Sequence, residues 1–487
     1  SNNLLSKIKN PQDQEEQLFY DPENRISRKM QKDASEILFA YDLMGRLTLK
    51  TTTDNQVAME YDGDGLLTKV TDNDSENILV YDNFKRPVSS KQTFSSFPLR
   101  YSYNNRGLRD HLRYQTDIDI QYFYDKQGLL DEIQANIFGR NLFWSRTTDA
   151  LKRPIEDTLP NGIKTNYSFD SLSRLQNLEH VLPNTKKLSG FEYAFSPIGN
   201  IINKVETIGG YTSGPGTLNF GFGYDSLDRL ISASNEGSFN LDLLGNRTGA
   251  GYSTNSLNQT LEDQKFIYTW DTNGRLSTRT DKRSGDVYEY TLSVESELVS
   301  VYIKEQNQNP KLLITNKYDG EGKRIEKQVT DFINGQRSYT RRFIYDNEDI
   351  LFELDQQNHI IAVYLHGPGI DEPIAMLRDQ NGNGRFEESE IFIYTKDNLG
   401  SVKDITDTNA ELKQRYNYSA YGVTKLEKDD PHSSNKFIEN PYAYTAREWE
   451  QETGCYYYRA RWYCPGMEKF ISPDPAGFKS GDLNNLR

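Results

Sequence analysis

A tyrosine-aspartate pair that returns about every twenty residues constrains the fold of this chain more than any other feature. The copies that keep both residues are Tyr20-Asp21, Tyr41-Asp42, Tyr61-Asp62, Tyr81-Asp82 and Tyr124-Asp125, followed by more widely spaced copies as far as Tyr345-Asp346. Self-similarity at such a period is typical of a repeat protein. We therefore interpret the 487 residues as an array of small units, although length alone would predict roughly three globular domains.

Each unit has the composition of a β-hairpin. In Asp42-Leu43-Met44-Gly45, the aspartate can accept hydrogen bonds from the backbone ahead of it, and the glycine can adopt a positive φ. This pattern predicts a type I turn with a G1 bulge. About twenty residues leave room for two strands of about six residues and two turns. We therefore predict an all-β chain, a long antiparallel meander of hairpins that must twist and curl.

The composition favours one thin sheet with a wetted face over several dry cores. Hydrophobic residues make up 35% of the chain, the mean hydropathy is -0.78, and 32 residues are tyrosine, which has an apolar ring and a polar tip. The net charge of -14 argues against nucleic acid as a partner, because phosphate binding needs clustered Lys and Arg.

No apolar run reaches the roughly eighteen residues of a membrane helix, so we expect no membrane span. Ser1 opens a polar stretch without a signal-peptide pattern. The chain is therefore expected either to start inside a larger protein or to be exported by another route.

The last part of the chain carries a series of motifs in a fixed order. They are Gly-Pro-Gly-Ile-Asp-Glu-Pro at 367–373, Lys-Asp-Asn-Leu-Gly-Ser at 396–401, Tyr-Asn-Tyr-Ser-Ala-Tyr-Gly at 416–422, Ala-Arg-Glu at 446–448 and the aromatic run at 454–465 with Ser-Pro-Asp-Pro-Ala-Gly at 472–477. Together they resemble the core domain that closes RHS/YD-repeat proteins. This family includes bacterial Tc-toxin C components, polymorphic Rhs toxins and, more distantly, the teneurins.

The resemblance implies that the repeats spiral into a hollow β-shell with the C-terminal core inside it as a plug. Residues 1–345 would then form the YD-repeat shell, and residues 346–487 a core domain that is incomplete at its C-terminal end. An open solenoid would show the same period and remains the alternative architecture.

The resemblance also implies a function, which is to enclose a C-terminal toxin or effector polypeptide and to take part in its self-cleavage and release. The expected partners are the chain's own toxin segment and either a further YD-repeat shell segment or a Tc-type subunit. The expected location is outside the bacterial cell or on its surface. A teneurin-like adhesion or carbohydrate-binding module without toxin cargo is the alternative.

Residues 379–390 match the twelve-residue calcium loop D-x-[DN]-x-[DN]-G-x5-E at every constrained position. Calcium prefers six to eight oxygen ligands. The predicted ligands are Asp379, Asn381, Asn383, the Arg385 carbonyl, Glu387 and Glu390. The strand pattern that follows argues against a helix–loop–helix, and a polar turn that binds nothing remains the alternative.

Asp474 is the candidate for self-cleavage, because it falls on the aspartate of the family's S-x-D-P-x-G motif. Members of the family cut themselves by an aspartyl-type mechanism, in which one carboxylate activates water and another carboxyl group donates a proton. Asp482 is the second, weaker candidate. The structural alternative for Asp474 is a turn cap between two prolines. No turnover enzyme is predicted.

The aromatic run at 454–465 alternates with arginine, which predicts one long strand. Nine steps along such a strand would separate Cys455 from Cys464 by roughly 30 Å, too far for a disulfide. The pattern therefore argues against a bridge, although one across a turn is the alternative.

Overall fold

The computed structural model describes residues 4–209, 216–307, 309–428, 437–476, 484 and 486. In these residues the chain is almost entirely antiparallel β-structure, with 42 strands, two short 3₁₀ helices at Glu388–Glu390 and Tyr444–Ala446, and no α-helix. Each strand pairs with its neighbour in sequence, so the strands form three consecutive meanders. The predicted all-β fold of hairpin repeats is confirmed.

The first sheet has 22 strands and covers the first half of the chain. Its strands are β1 (Lys7–Lys9), β2 (Glu15–Tyr20), β3 (Ile26–Met30), β4 (Glu36–Tyr41), β5 (Leu47–Thr51), β6 (Gln56–Tyr61), β7 (Leu67–Thr71), β8 (Glu76–Tyr81), β9 (Pro87–Lys91), β10 (Leu99–Tyr103), β11 (Arg109–Tyr114), β12 (Ile118–Tyr124), β13 (Leu130–Ile137), β14 (Arg140–Thr148), β15 (Pro154–Thr158), β16 (Lys164–Phe169), β17 (Leu175–Val181), β18 (Lys187–Phe195), β19 (Ile201–Ile208), β20 (Gly216–Tyr224), β21 (Leu230–Ala233) and β22 (Gly237–Ser238).

The second sheet has 16 strands and the third has four. The second contains β23 (Ser253–Thr254), β24 (Thr260–Glu262), β25 (Phe266–Trp270), β26 (Leu276–Asp281), β27 (Val287–Leu292), β28 (Leu298–Lys304), β29 (Pro310–Tyr318), β30 (Arg324–Asp331), β31 (Tyr339–Asp346), β32 (Asp349–Leu354), β33 (Ile360–His366), β34 (Pro373–Arg378), β35 (Ile391–Lys396), β36 (Val402–Thr406), β37 (Leu412–Tyr418) and β38 (Thr424–Lys428). The third contains β39 (Glu448–Glu450), β40 (Cys455–Tyr457), β41 (Trp462–Cys464) and β42 (Lys469–Phe470).

The Tyr-Asp pair closes each hairpin in the predicted way. The Asp42 carboxylate accepts hydrogen bonds from the amides of Met44 and Arg46, each over 2.9 Å. Gly45 has a φ of +81°, and the pairing register shifts at Tyr41, as a G1 bulge requires. A β-branched side chain at Gly45 would be strained at this φ, so the turn chemistry read from the sequence is confirmed.

The arginine that follows the turn connects neighbouring units, a role that the sequence pattern did not suggest. Arg46 donates from Nε to Asp42 over 2.7 Å, and its guanidinium lies 4.7 Å from the ring centroid of Tyr61 in the next unit. The Tyr61 hydroxyl in turn donates to the carbonyl oxygen of Leu47 over 2.8 Å. A unit with arginine at this position therefore fixes the next unit through a cation–π contact and a hydrogen bond.

The ribbon bends back on itself. Asn77 contacts Asp319 and Arg109 contacts Asp346, each through a 2.8 Å hydrogen bond between residues about 240 positions apart. Further contacts at similar separations join Asp33 to Asn273, Lys50 to Glu295, Arg140 to Phe386 and Asn161 to Thr406. Repeats of an open solenoid contact only their neighbours. These contacts exclude an open solenoid for the described part of the chain.

The largest apolar core lies between the first and second sheets. Ile133 and Trp144 of the first sheet pack in one buried cluster with Val363, Leu377 and Ile393 of the second. The second sheet continues without interruption from β23 to β38, and the predicted boundary between residues 345 and 346 falls inside β31. The division into a shell and a core domain stays a prediction.

The prediction of one long strand at 454–465 is wrong. β40 and β41 form a short hairpin that turns at Tyr458–Arg461, where the Tyr458 amide donates to the Arg461 carbonyl oxygen over 2.8 Å. Arg459 adopts a φ of +62° in this turn and donates to Asp371 over 2.8 Å. The aromatic–arginine alternation therefore does not continue as one extended strand, because Arg459 lies in the turn and pairs with a residue far away in the chain.

The expectation against a disulfide is wrong for the same reason. The hairpin brings the Cα atoms of Cys455 and Cys464 to 4.3 Å, and the two side chains form a disulfide. Both cysteines are buried. The bridge therefore links β40 to β41, two strands that were predicted to be one.

Candidate functional site

The C-terminal hairpin is held against the second sheet by an apolar contact. Tyr457 and Trp462 belong to a buried cluster with Tyr318 and Val301, and the disulfide lies in the same cluster. The Trp462 indole donates to the Tyr318 hydroxyl over 3.1 Å. This packing fixes the hairpin of β40 and β41 against strands β28 and β29 of the second sheet.

A buried charge network fixes the other side of the hairpin. Arg324 on β30 donates to Glu448 over 2.5 Å and to Glu450 over 3.0 Å, and all three side chains are almost completely buried. Burial opposes the charge on Arg324, but Glu448 and Glu450 more than offset this effect and raise the pKa of the guanidinium. Lys327 forms a second ion pair with Glu450. Burial raises the pKa of Glu448 and of Glu450, and the cations beside them oppose this rise. The network anchors the hairpin to β30.

The Gly-Pro-Gly-Ile-Asp-Glu-Pro motif forms a bridge between the first sheet and the C-terminal hairpin. Asp371 pairs with Arg459 over 2.8 Å and with Arg447 over 3.0 Å. Glu372 pairs with Arg146 of β14 over 2.7 Å. Burial alone would raise the pKa of Glu372, but nearby cations, including Arg146, lower it to about 2. Sequence reasoning assigned no role to these residues, because their partners lie far away in the chain.

A cavity of about 560 Å³ adjoins this bridge. His180 lies in its wall, where Nε2 donates to the Lys396 carbonyl oxygen over 2.8 Å and the ring contacts the Thr165 hydroxyl over 2.9 Å. Burial lowers the pKa of His180 to about 4. The imidazole is therefore neutral at physiological pH.

Asp474 lies beside the hairpin turn. Its carboxylate contacts the Arg461 guanidinium over 3.2 Å and accepts a hydrogen bond from the Ala476 amide over 2.8 Å. The Arg461 guanidinium also covers the ring of Phe470 at 3.6 Å. Asp482 lies outside the described residues. The geometry includes the turn cap that was the structural alternative for Asp474, and its catalytic role stays a prediction.

The predicted calcium loop is compact. The Asp379 carboxylate accepts hydrogen bonds from the amides of Gly382, Asn383 and Gly384 over 2.7 to 3.1 Å. Gly384 has a φ of +74°, so the sharp bend at the sixth position of the motif is present. Asn381 and Asn383 direct their side-chain oxygens to amides of the same loop.

The other end of the loop closes on Glu390. Its carboxylate accepts hydrogen bonds from the amides of Gln380, Asn381 and Glu387 over 2.9 to 3.2 Å, while Asn383 donates to the Glu387 carboxylate over 3.0 Å. The first and twelfth positions of the motif therefore bracket a single loop. β35 follows directly, as the sequence predicted.

Within the described ranges, no group of three or more His, Cys, Asp or Glu side chains is arranged to hold a metal ion. To bind calcium, the loop at 379–390 would have to use amide and carbonyl oxygens as ligands in addition to its carboxylates. Calcium binding stays a prediction. Among the same residues, no helix is long and apolar enough to cross a membrane.

No protein-family model matches the chain. The tRNA3(Ser)-specific nuclease WapA of Bacillus spizizenii is 28% identical over 277 residues, which cover 53% of this chain and 10% of that protein. The toxin subunit YenC1 of Yersinia entomophaga is 22% identical over 453 residues, which cover 79% of this chain and 45% of that protein.

A solved structure of the Photorhabdus luminescens Tc holotoxin pore matches 97% of this chain, with a TM-score of 0.73 and 17% sequence identity, over 26% of the matched chain. The match shows that the curled meander is the shell fold of a Tc toxin. The chain is therefore similar in sequence to a WapA nuclease and to a Tc toxin subunit, and it shares the shell fold of the Tc toxin. It spans a tenth of the nuclease and less than half of the toxin subunit, so the activities in those names belong to much longer proteins.

Proposed function

We propose that this chain belongs to the RHS/YD-repeat proteins and forms part of a shell that encloses a toxic polypeptide carried on the same protein. The observation that carries the proposal is the set of contacts between residues about 240 positions apart, because a ribbon that returns on itself can form a curved wall around a passenger. The relatives named as a toxin subunit and a nuclease support a toxin as that passenger.

The physical role of such a wall is to separate the passenger polypeptide from other proteins. A sheet that closes on itself exposes no long edge to other chains, and the passenger behind it is kept from cytoplasmic proteins. The proposed partners are the chain's own C-terminal toxin segment and a further shell segment or Tc-type subunit. The buried disulfide supports a final location outside the cell, since disulfides persist in oxidising surroundings.

Limited proteolysis tests the enclosure. The full-length protein, including its toxin segment, is digested alongside the toxin segment expressed alone, and both digests are resolved by mass. The proposal predicts that the enclosed segment survives many times longer than the free one. Equal rates of digestion would contradict the enclosure.

We assign to Asp474 a part in releasing the passenger by self-cleavage. A carboxylate that activates water must be held in place, and the contacts of Asp474 with Arg461 and the Ala476 amide support this role. The test is a protein extended past Arg487, with and without Asp474→Asn, analysed by mass spectrometry for a new terminus. Glu468→Gln, which changes another carboxylate beside the hairpin, is the control. Equal processing of the parent and Asp474→Asn would remove Asp474 from the mechanism.

We further propose that the loop at 379–390 binds Ca²⁺. Residues at every ligand position of the motif are present, and Phe386 of the loop packs on Phe138 of the first sheet with 5.0 Å between ring centroids. Arg140 also donates to the Phe386 carbonyl oxygen over 3.0 Å. Calcium would therefore rigidify a loop that spans the two sheets.

A further inference from the structure

A face of the first sheet carries two columns of aromatic rings with charged residues between them. Alternate residues of β18, β19 and β20 point to the same side, and the register places Tyr193 opposite Lys204 and Lys204 opposite Phe220. Two residues further along each strand, Phe191 lies opposite Glu206. Three neighbouring strands thus form a floor in which a Lys-Glu pair separates aromatic walls.

A cavity of about 430 Å³ lies over this floor. Asn398 and Leu399, in the turn between β35 and β36, line its opposite side together with Tyr418 of β37. Phe222 and Tyr224 extend the aromatic wall along β20. The volume and the mixture of rings with a few polar groups are typical of a site for a small organic molecule.

Each lysine that lines the cavity is paired with a carboxylate, and Lys425 at the rim pairs with Glu427. Lys204 lies 3.4 Å from the Glu206 carboxylate, and Lys403 forms a further ion pair with Glu206. Lys403 also donates to the Asn417 side chain over 2.7 Å. A ligand with a strong charge would have to break these pairs, so the cavity favours a neutral ligand.

One polar group on the wall has no partner for its proton. The Tyr193 side chain is buried, with 5% of its surface exposed, and no described residue accepts a hydrogen bond from its hydroxyl. Burial raises the pKa of this phenol, and the nearby Asn398 amide, which can only donate to the oxygen, offsets the rise in part. The hydroxyl is therefore a neutral donor, and a buried donor without an acceptor is unfavourable.

We propose that this cavity binds a neutral pyranose sugar, as a mono- or disaccharide. A sugar ring has apolar C–H faces that pack on aromatic rings and hydroxyl oxygens that accept from a phenol such as Tyr193. The side-chain amides of Asn235 and Asn417, which also line the cavity, carry the donors and acceptors that sugar hydroxyls need. This activity goes beyond the proposed shell function and does not depend on it.

Calorimetry on the 487-residue chain tests the site with maltose, cellobiose, lactose and diacetylchitobiose as probes. We expect saturable binding of at least one of them. Phe220→Ala removes part of the aromatic wall and is expected to weaken binding about tenfold. Tyr193→Phe keeps the ring and removes only the hydroxyl, with an expected loss of about three- to tenfold. Phe143→Ala, at an exposed ring on β14 outside the cavity, is the control and leaves binding unchanged.

Two further probes decide between a sugar and other occupants. Para-cresol and tryptophanamide carry the aromatic groups of peptide side chains without a sugar ring. Binding of these probes with no binding of any of the four disaccharides would overturn the proposal in favour of an aromatic pocket. Sugar binding that both cavity variants leave unchanged, while circular dichroism shows them folded, would also overturn it. Should Phe220→Ala fail to fold, Tyr193→Phe alone decides.

Discussion

The side-chain amide of Asn77 donates to the Asp319 carboxylate over 2.8 Å, although 242 positions separate the two residues in sequence. Asp319 follows Tyr318 in one of the repeated Tyr-Asp pairs, so a turn of the second sheet contacts a strand of the first. The same offset recurs along the chain. One full winding of the ribbon therefore takes about twelve units of about twenty residues. These contacts between successive windings are made by side chains and not by pairing of strands.

Arg415 of β37 connects the second sheet to the first from a fully buried position. It donates to the carbonyl oxygens of Leu188 in β18 and of Gly209 just after β19, and its ion-pair partner Asp404, on the neighbouring strand β36, is also fully buried. Arg415→Met leaves the Asp404 carboxylate without a cation and is expected to lower the free energy of unfolding by about 3–5 kcal/mol, measured by chemical denaturation.

The double variant Arg415→Met with Asp404→Leu removes both charges and is expected to recover most of that loss. Lys7→Met, at an exposed ion pair with Glu15, is the matched control and changes stability by about 1 kcal/mol at most. A single variant as stable as the parent protein would show that the turns are not held together at this point.

The disulfide between Cys455 and Cys464 closes a short loop at the hairpin. Because it restricts the unfolded chain, we expect Cys455→Ser with Cys464→Ser to reduce the free energy of unfolding by about 2–3 kcal/mol. The measurement is guanidinium unfolding with and without reductant. Reductant should lower the midpoint of the parent and leave the double variant unchanged. Identical midpoints for both proteins would mean that the bridge does not form in solution.

Glu297 makes stability depend on pH. Burial, helped by the nearby Glu295, raises the pKa of Glu297 to about 7, whereas Ser293 and Lys50 pull it down. The folded state then holds a proton that the unfolded state releases near pH 4.5, so this contribution to stability is present in acid and is lost as the pH rises towards 7.

The expected loss is at most about 1.4 kcal/mol per pH unit between those limits. Glu297→Gln keeps the shape and removes the titration. Denaturation curves from pH 4.5 to 7.5 should therefore show a smaller decline in the variant than in the parent. Parallel curves would show that Glu297 is not desolvated in the folded protein.

Calcium addition should produce a heat of binding in calorimetry that disappears in Asp379→Ala and in Glu390→Ala, because these residues occupy the first and last ligand positions of the loop. Glu388→Ala is the matched control, since Glu388 lies in the same loop, is exposed and is not at a ligand position. The control should bind as the parent does. The absence of any heat in the parent protein would remove the calcium site.

The sequence predicted what is local. The turn at Asp42 and Gly45 was readable because its hydrogen bonds join residues at most four positions apart. The period could not tell a shell from a solenoid, because the contacts that distinguish them join residues such as Asn77 and Asp319. The same limit hid the partners of Arg459, whose interaction with Asp371 accompanies the turn where one strand was expected.

The candidate sites were predictable to different degrees for the same reason. The calcium motif lies within twelve residues, and its loop is compact with the expected bend at Gly384. The cavity above Tyr193 and Phe220 was not predicted, since its floor comes from three strands and its opposite side from residues near 398. Alternation within β18 and β20 was the available signal, but nothing local identifies what covers that face.

Small-angle X-ray scattering tests the central claim, that the Tyr-Asp units form one ribbon that curls back on itself. For the 487-residue chain, a compact spiral predicts a radius of gyration of about 23 Å. The 22 and 16 strands of the two main sheets, laid side by side at about 4.8 Å, would instead form an array about 180 Å long with a radius of gyration of about 50 Å. A value near 23 Å is expected, and a value near 50 Å would contradict the curled ribbon.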